Sequence, residues 1–401
     1  MLAKPLTLHI RLTRSCNADC GYCSSWQESP DDRLTPENLR KSLTFILDTA
    51  GEALGVSPTH ITAQFLGGEI AMVPMRELKE HAQVVRELCD ARGISCVVGG
   101  QSNLIVSERK AAQLYDLYDG RIGTSIDLTS NTRTIKGDAE KYRLIWKSAD
   151  TYLRKNRSAP GAIYVVEPGA TKDAIKHLMD SARKGRTLTF RPIFKGGIKQ
   201  VQLNSALDMQ EAMVELFDHW FMKLPTIVEP FYQLCEARLN EVSGLGRVES
   251  TSCAFQSDCT TKSINIDPNG DLHVCLEMAD SGLPPIGNGL LGKWDEQALS
   301  VYSSRSENLH KDCLSCPYLK SCQGGCMYEA IAQGQGSHGK SFHCSTWKSI
   351  FGRIDKAIST HGAEVVRDWI HRLATKHENQ RDEGVAKSIV RHTEEGGSKC
   401  S

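Results

Sequence analysis

The chain is poor in the features that most quickly assign a protein to a class. No run of apolar residues approaches the ~18 needed to cross a bilayer as a helix, so no membrane partner is expected. There is no excess charge of either sign: 48 Lys and Arg stand against 48 Asp and Glu. A chain without a basic field is not built mainly to grip a phosphate backbone, which argues against nucleic acid as a partner. The N-terminal residues Met1-Leu2-Ala3-Lys4-Pro5 hold no apolar core of signal-peptide length, and a cytoplasmic protein is expected. No repeat recurs at solenoid periods. At 401 residues the chain is too long for one compact core, so two domains, or a barrel with an extension, are expected.

What is abundant is cysteine, with fifteen residues. In a reducing compartment so many thiols point to metal or redox chemistry rather than to disulfides. Their placement supports that. Cys16, Cys20 and Cys23 sit close together near the start, and Cys253, Cys259, Cys275, Cys313, Cys316, Cys322, Cys326 and Cys344 crowd the last third. Only Cys89, Cys96 and Cys235 fall between residues 24 and 252, and Cys400 stands at the end. A disulfide framework would be scattered along the chain; this one divides into one metal site in an α/β region and others in a cysteine-rich region.

The region between reads as alternating strands and helices. Short β-branched runs occur at 6–12, 61–66, 94–99, 122–127, 162–167 and 188–194. Thr35-Pro36 provides an N-cap and first-turn proline for a helix to about Leu54. Pro74 opens a second helix closed by Gly93, Ser107 caps a third, residues 139–155 form a fourth, and Thr171 is placed to cap a fifth closed by Gly185. Six βα units argue for a parallel sheet, either curled into a partial barrel or doubly wound, with chemistry at the carboxyl ends of the strands. Expected boundaries are 1–205 for this unit, 206–250 for a helical bridge, 251–375 for the cysteine-rich unit and its closing helix, and 376–401 for a flexible polar tail.

Cys16-x3-Cys20-x2-Cys23 follows the first strand directly. Three thiolates in one loop hold three corners of an iron–sulfur cube and leave one iron open, and an open position separates catalytic from closed structural metal sites. Zinc would need a fourth ligand, and His9 on the strand is poorly aimed for it. In the C-terminal region the spacing is x5, x15, x37, x2, x5, x3 and x17 from Cys253 through Cys344. Eight thiolates make two sets of four, the number that fully ligates one cluster, although Cys-x2-Cys pairs serve zinc as well. Asp267-Pro268-Asn269-Gly270 between two β-prone runs reads as a hairpin turn that brings Cys275 back toward Cys259.

The first spacing, with Tyr22 before the last cysteine, resembles the radical S-adenosylmethionine (SAM) enzymes over roughly residues 5–200. Successive strand ends match in order. Gly67-Gly68-Glu69 resembles the Gly-Gly-Glu segment that grips the methionyl amino group, with Ile70 in place of the usual Pro. Gln101-Ser102-Asn103 resembles the Gln-Thr-Asn-Gly of relatives with peptide substrates, with Leu104 in place of Gly, and implies substrate contacts from Gln101 and Asn103. Ser125-Ile126-Asp127 resembles Ser-Leu-Asp-Gly, with Leu128 in place of Gly. Arg133 falls where relatives carry an arginine for the SAM carboxylate, and Arg191 is another candidate anion contact. By this resemblance Tyr22, Gly67, Gly68, Glu69, Ser125, Asp127, Arg133 and Arg191 form the SAM site. The C-terminal region is similar to the SPASM extension of radical SAM peptide maturases, with the spacing of anaerobic sulfatase-maturating enzymes. This implies Cys253, Cys259, Cys275 and Cys326 for an inner auxiliary cluster and Cys313, Cys316, Cys322 and Cys344 for an outer one.

The implied fold is an α/β partial (β/α)6 TIM-type barrel with a C-terminal SPASM domain. The implied cofactors are three 4Fe-4S clusters and SAM, and the implied chemistry is hydrogen-atom abstraction by a 5′-deoxyadenosyl radical from a ribosomally made peptide or protein, giving an oxidised residue or a side-chain crosslink. An electron donor such as flavodoxin or ferredoxin is implied as partner. Sulfatase maturases carry an acidic residue directly after the third inner-cluster cysteine, where this chain has Leu276. Glu277 is one residue further and, on a strand, would face the other way. Glu277, Asp127 and Asp258 are the candidate general bases. The first strand starts near Leu6, leaving no room before it for a leader-binding element, so recognition is expected from the barrel mouth, the C-terminal segments or a separate leader-binding protein. Formylglycine formation, small-molecule dehydrogenation and a zinc-stabilised binding protein are the alternatives.

Overall fold

A computed structural model of the protein describes residues 2–23, 25, 33–129, 131–167, 169–192, 206–245 and 255–397, with side chains to 387. Its first half alternates strand and helix: β1 (Leu2–Arg11), α1 (Pro36–Leu54), β2 (Val56–Leu66), α2 (Met75–Asp90), β3 (Ser95–Ser102), α3 (Glu108–Leu117), β4 (Ile122–Ser125), α4 (Ala139–Asn156), β5 (Gly161–Val166), α5 (Thr171–Arg183) and β6 (Leu188–Pro192). The strands run parallel in sequence order. Leu6, Leu8 and Ile10 share one face of β1 and Thr7, His9 and Arg11 the other, as a strand period of two requires, and the three apolar residues are fully buried.

Local signals act where they were expected. Thr35 caps α1 by accepting from the Asn38 amide at 3.1 Å, and Ser107 caps α3 through the Lys110 amide at 3.3 Å. Thr171 differs: it is the first residue of α5, after Ala170, which makes no side-chain cap. A Thr can start a helix as well as cap it, and the sequence does not separate the two.

The chain continues through α6 (Ala206–Trp220), β7 (Val228–Glu229), α7 (Phe231–Val242), β8 (Ser263–Ile266), β9 (Asp271–His273), α8 (Leu276–Asp280), β10 (Gly287–Asn288) and β11 (Lys293–Trp294). The sheet order among the described residues is β11-β10-β9-β8-β1-β2-β3-β4-β5-β6-β7. Thus the parallel run exceeds the six expected strands. Two-residue β7 adds to β6, and β8 lies parallel to β1 with Thr7 opposite Ser263. The expected hairpin across Asp267–Gly270 is present as antiparallel β8 and β9. Its other edge is the addition: the cysteine-rich region is welded to the barrel through the sheet itself. A buried charge network reinforces that joint. Arg11, wholly buried at the end of β1, reaches Asp280 at 2.6 Å and Asp267 at 3.4 Å, and Arg14 reaches Asp267 at 2.7 Å.

Residues 376–397, part of the stretch expected as a polar tail, are helical. They continue the helix Ala363–Gly397. Gly384 lies so close to α3 that a Cβ there would meet the Tyr115 hydroxyl at 2.3 Å, and Gln380 comes against Gly185. Gly120, Ser158 and Gly185 precede β4, β5 and β6, so this helix crosses the amino-terminal end of the barrel. Its polar composition read as solvated; a single glycine that permits close approach gives it a packing face.

Candidate active site and cysteine centres

The loop that carries Cys16, Cys20 and Cys23 leaves the carboxyl end of β1 and is held by the ends of three neighbouring strands. From β2, the Gly68 and Glu69 amides donate to the carbonyls of Thr13 and Ser15, both at 2.8 Å. A Cβ on Gly67 would lie 2.4 Å from the Thr13 oxygen and one on Gly68 2.3 Å from the Ser15 oxygen. Only glycine lets these two backbones approach so closely. From β3, the Asn103 side chain donates to Asn17 at 2.8 Å and to the Cys16 sulfur at 3.6 Å. After β4, the Thr132 and Thr134 carbonyls accept from Gly21 and Asp19, each at 2.9 Å, and Arg133 stands over the Tyr22 ring at 5.2 Å with Nη1 4.0 Å from the Cys20 sulfur.

Burial pushes the Cys16 thiol up to about 12, and nearby Glu69, Cys20 and Cys23 push in the same direction. Such thiols ionise only beside a positive centre. Arg133 is buried, its Nε has no partner, and it forms no ion pair among the described residues. The site therefore offers three thiols and an uncompensated guanidinium, a donor set that fits an anionic metal–sulfur group.

Several residues expected to touch SAM or substrate also make contacts within the chain. Glu69 is 1 % exposed. Its carboxylate accepts from the Ala71 amide at 2.9 Å, the Ser102 hydroxyl at 2.7 Å and the Asn103 amide at 2.6 Å. Three of its roughly four acceptor directions are taken by the chain, which ties the ends of β2 and β3 together. Asn103 serves the cysteine loop, and Gln101 donates to Ser125 at 3.4 Å across the β3–β4 edge. Asp127 accepts from the Thr129 amide at 3.2 Å and the Thr132 hydroxyl at 2.9 Å, which folds the loop carrying Arg133. Asp258 is not at this end of the sheet. It pairs with Lys4 at 3.2 Å, and Lys4 is separated from the end of β1 by about 23 Å of extended chain.

Glu277 is placed differently from the expectation. Residues 276–280 form the short helix α8, with Cys275 as its N-cap, so Glu277 does not follow a strand alternation. Its carboxylate meets Arg191 of β6 at 2.5 Å. His9 of β1 is close enough to feel both charges, and burial lowers that imidazole to about 4. Burial pushes the Glu277 carboxyl up, but Arg191, a backbone amide and His9 outweigh it and leave it below its ordinary range. Arg191 is thus committed to a carboxylate of the chain, and His9, Arg191 and Glu277 form a polar group that no spacing rule disclosed.

In the C-terminal region, Cys313, Cys316, Cys322 and Cys344 line one small cavity with Tyr318, Trp347 and Phe351. Burial raises the Cys322 thiol to about 12, and Cys344, Cys313 and Cys316 add to the shift. Of the other set, Cys259 and Cys326 both act on the charge of Arg305, and Cys275 and Cys326 both act on Tyr328, whose hydroxyl lies 2.6 Å from Ser281. Cys253 lies outside the described residues. Among the described residues no three His, Cys, Asp or Glu side chains converge as ligands of a single ion would. Of the remaining thiols, Cys89 and Cys235 are fully buried on helices, Cys96 is half-buried on β3 beside Cys89, and Cys400 lies outside the described residues.

The fold is a mixed α/β, partial TIM-type barrel, and solved structures share it. The structure of polyhistidine-tagged anSMEcpe with bound AdoMet aligns with TM-score 0.69 at 17% identity, covering 93% of this chain and 98% of that one. Native anSMEcpe with bound AdoMet and Kp18Cys peptide aligns with TM-score 0.65 at 16% identity, covering 91% and 99%. Streptococcus suis SuiB bound to precursor peptide SuiA aligns with TM-score 0.54 at 15% identity, covering 87% and 77%. No family model matches the chain. No helix among the described residues is long and apolar enough to cross a membrane.

Proposed function

We propose that this chain is a radical SAM enzyme with a SPASM extension that modifies a ribosomally made peptide or protein. One observation carries the reading: a three-cysteine loop held at the carboxyl ends of a parallel sheet, with a separate cavity ringed by four further cysteines. The peptide substrate is supported by structures of the same fold bound to AdoMet, to Kp18Cys peptide and to precursor peptide SuiA.

In this reading Cys16, Cys20 and Cys23 hold one 4Fe-4S cluster, Cys253, Cys259, Cys275 and Cys326 a second, and Cys313, Cys316, Cys322 and Cys344 a third. When bound, the first cluster with SAM supplies the electron and the 5′-deoxyadenosyl radical that removes a hydrogen atom from carbon. The chain's own residues do the rest. Arg133 faces the anionic side of the loop and is the candidate for the SAM carboxylate, with Tyr22 fixed beneath it. The Gly67-Gly68 turn offers its backbone to the ammonium. Glu277, kept ionised by its contact with Arg191, is the candidate base that takes a proton from substrate. Asp127 is engaged in its own loop, and Asp258 pairs with Lys4 far from the cysteine loop. The product is an oxidised residue or a side-chain crosslink, the electron donor is of flavodoxin or ferredoxin type, and the cysteine-rich unit spans 251–375.

The test is reconstitution without oxygen, followed by SAM, a reductant and the peptide encoded beside the gene. The expected result is 5′-deoxyadenosine together with a peptide mass loss. Release of 5′-deoxyadenosine no greater than in the Cys16→Ala, Cys20→Ala, Cys23→Ala variant would overturn the reading.

A further inference from the structure

Arg305 is the one wholly buried arginine of the cysteine-rich region that forms no ion pair among the described residues. Every hydrogen bond it makes ends on a backbone carbonyl. Nη1 donates to Ser337 and, at 2.8 Å, to Gly339; Nη2 donates to Gly324 at 2.9 Å and Gly325 at 3.3 Å. Its Nε is buried without a partner. A buried guanidinium satisfied only by neutral oxygens still lacks a counter-charge, and that is costly unless an anion stands nearby. Burial weighs most on its charge, and the charged groups that act on it next are thiols: Cys259 and Cys326 of one set, Cys313 and Cys322 of the other.

The contact with Gly324 and Gly325 has a second consequence. These residues separate Cys322, which faces the four-cysteine cavity, from Cys326, which belongs with the other set. Both have positive φ, 86° and 70°. A Cβ on Gly324 would stand 3.2 Å from Nη2 of Arg305. The turn that sends two thiols four positions apart to different groups is therefore moulded around this guanidinium.

We propose that Arg305 is a shared counter-charge for the two C-terminal cysteine groups, a positioning residue that holds their crossover turn and raises the reduction potential of the iron–sulfur groups on both. The assignment rests on the function proposed above. A fixed positive charge favours whichever state carries more negative charge, and that is the reduced state. Acting on both groups, it lifts both together, which helps them accept the electron released when a substrate radical loses a proton and becomes oxidised. Charge is the operative property, so Lys serves in part where Gln does not, although Lys cannot reproduce the four-way fork.

The full chain is reconstituted without oxygen as wild type, Arg305→Lys and Arg305→Gln. Iron is counted, and each centre is titrated potentiometrically by electron paramagnetic resonance. In Arg305→Gln, both C-terminal centres are expected to show at least a tenfold lower reduced-to-oxidised ratio at fixed potential, equivalent to 59 mV for one electron. The N-terminal centre stays unchanged, and Arg305→Lys shows a smaller shift than Arg305→Gln. Loss of C-terminal iron in Arg305→Gln but not in Arg305→Lys also supports the assignment. Full iron with unmoved potentials in Arg305→Gln overturns it, and so does equal loss of iron in both variants. A wild-type chain that takes up zinc and no iron overturns the functional reading itself, and this assignment with it.

Discussion

Arg191 on β6 and Glu277 on the short helix after Cys275 meet at 2.5 Å, joining the last long strand of the barrel to the cysteine-rich region. The pair does two things at once. It ties α8 across the sheet, and it keeps a largely buried carboxylate ionised beside His9.

If Glu277 takes the substrate proton, Glu277→Gln is expected to lower peptide modification by about a hundredfold or more, the usual range for loss of a general base. Release of 5′-deoxyadenosine should persist, because that step does not use the carboxylate. Measuring both products in one assay checks this: parallel loss of the two would place Glu277 in folding or SAM binding instead.

The pH dependence follows from the same pair. Arg191 and His9 hold the Glu277 carboxyl below its ordinary range against a burial effect that raises it. A base with a depressed pKa works above that pKa and fails as pH falls through it. Arg191→Gln removes the largest effect opposing burial, so the acid limb of the rate profile is expected to move to higher pH. An acid limb that stays in place removes Glu277 as the titrating group.

Glu69→Gln replaces a carboxylate that accepts from Ala71, Ser102 and Asn103 with an amide that has one accepting atom. At least one buried donor loses its partner, and the expected loss of stability is about 1–3 kcal/mol. Denaturant unfolding of the purified chain measures it. Wild-type stability would mean that the carboxylate is not the tie between the β2 and β3 ends.

Gly68→Ala places a methyl 2.3 Å from the Ser15 carbonyl oxygen, under the cysteine loop. About four of the ~12 irons expected for three four-iron clusters should then be lost, and they should come from the N-terminal site. Iron and sulfide counts set against Cys16→Ala give the comparison.

Gly384→Leu tests the packed C-terminal helix. Its Cβ would stand 2.3 Å from the Tyr115 hydroxyl, and overpacking of this kind costs about 1–3 kcal/mol. A lowered midpoint in thermal unfolding is expected; a mobile tail would tolerate the change.

The βα alternation and the grouping of the cysteines were legible because both are local. Strand period, caps such as Thr35 and Ser107, and thiol spacing within one loop depend on residues a few positions apart. Glu277 was misjudged for the same reason. Strand alternation put it on the wrong face, whereas Cys275 ends the extended chain and starts a helix.

By itself, the sequence determined how the cysteines group, because thiols within one loop are brought together by spacing alone. It also determined the parallel α/β core, because buried strands and amphipathic helices differ in period. Only the tertiary structure decided how these parts serve one another. The pairing of β8 with β1, the engagement of Glu69 by the β3 end, the meeting of Arg191 with Glu277 and the placing of Arg305 between two groups of thiols all join residues far apart in the chain. Each arises from burial: a charge or polar group taken out of water must find its partner wherever the fold supplies one, and no local pattern encodes that distance.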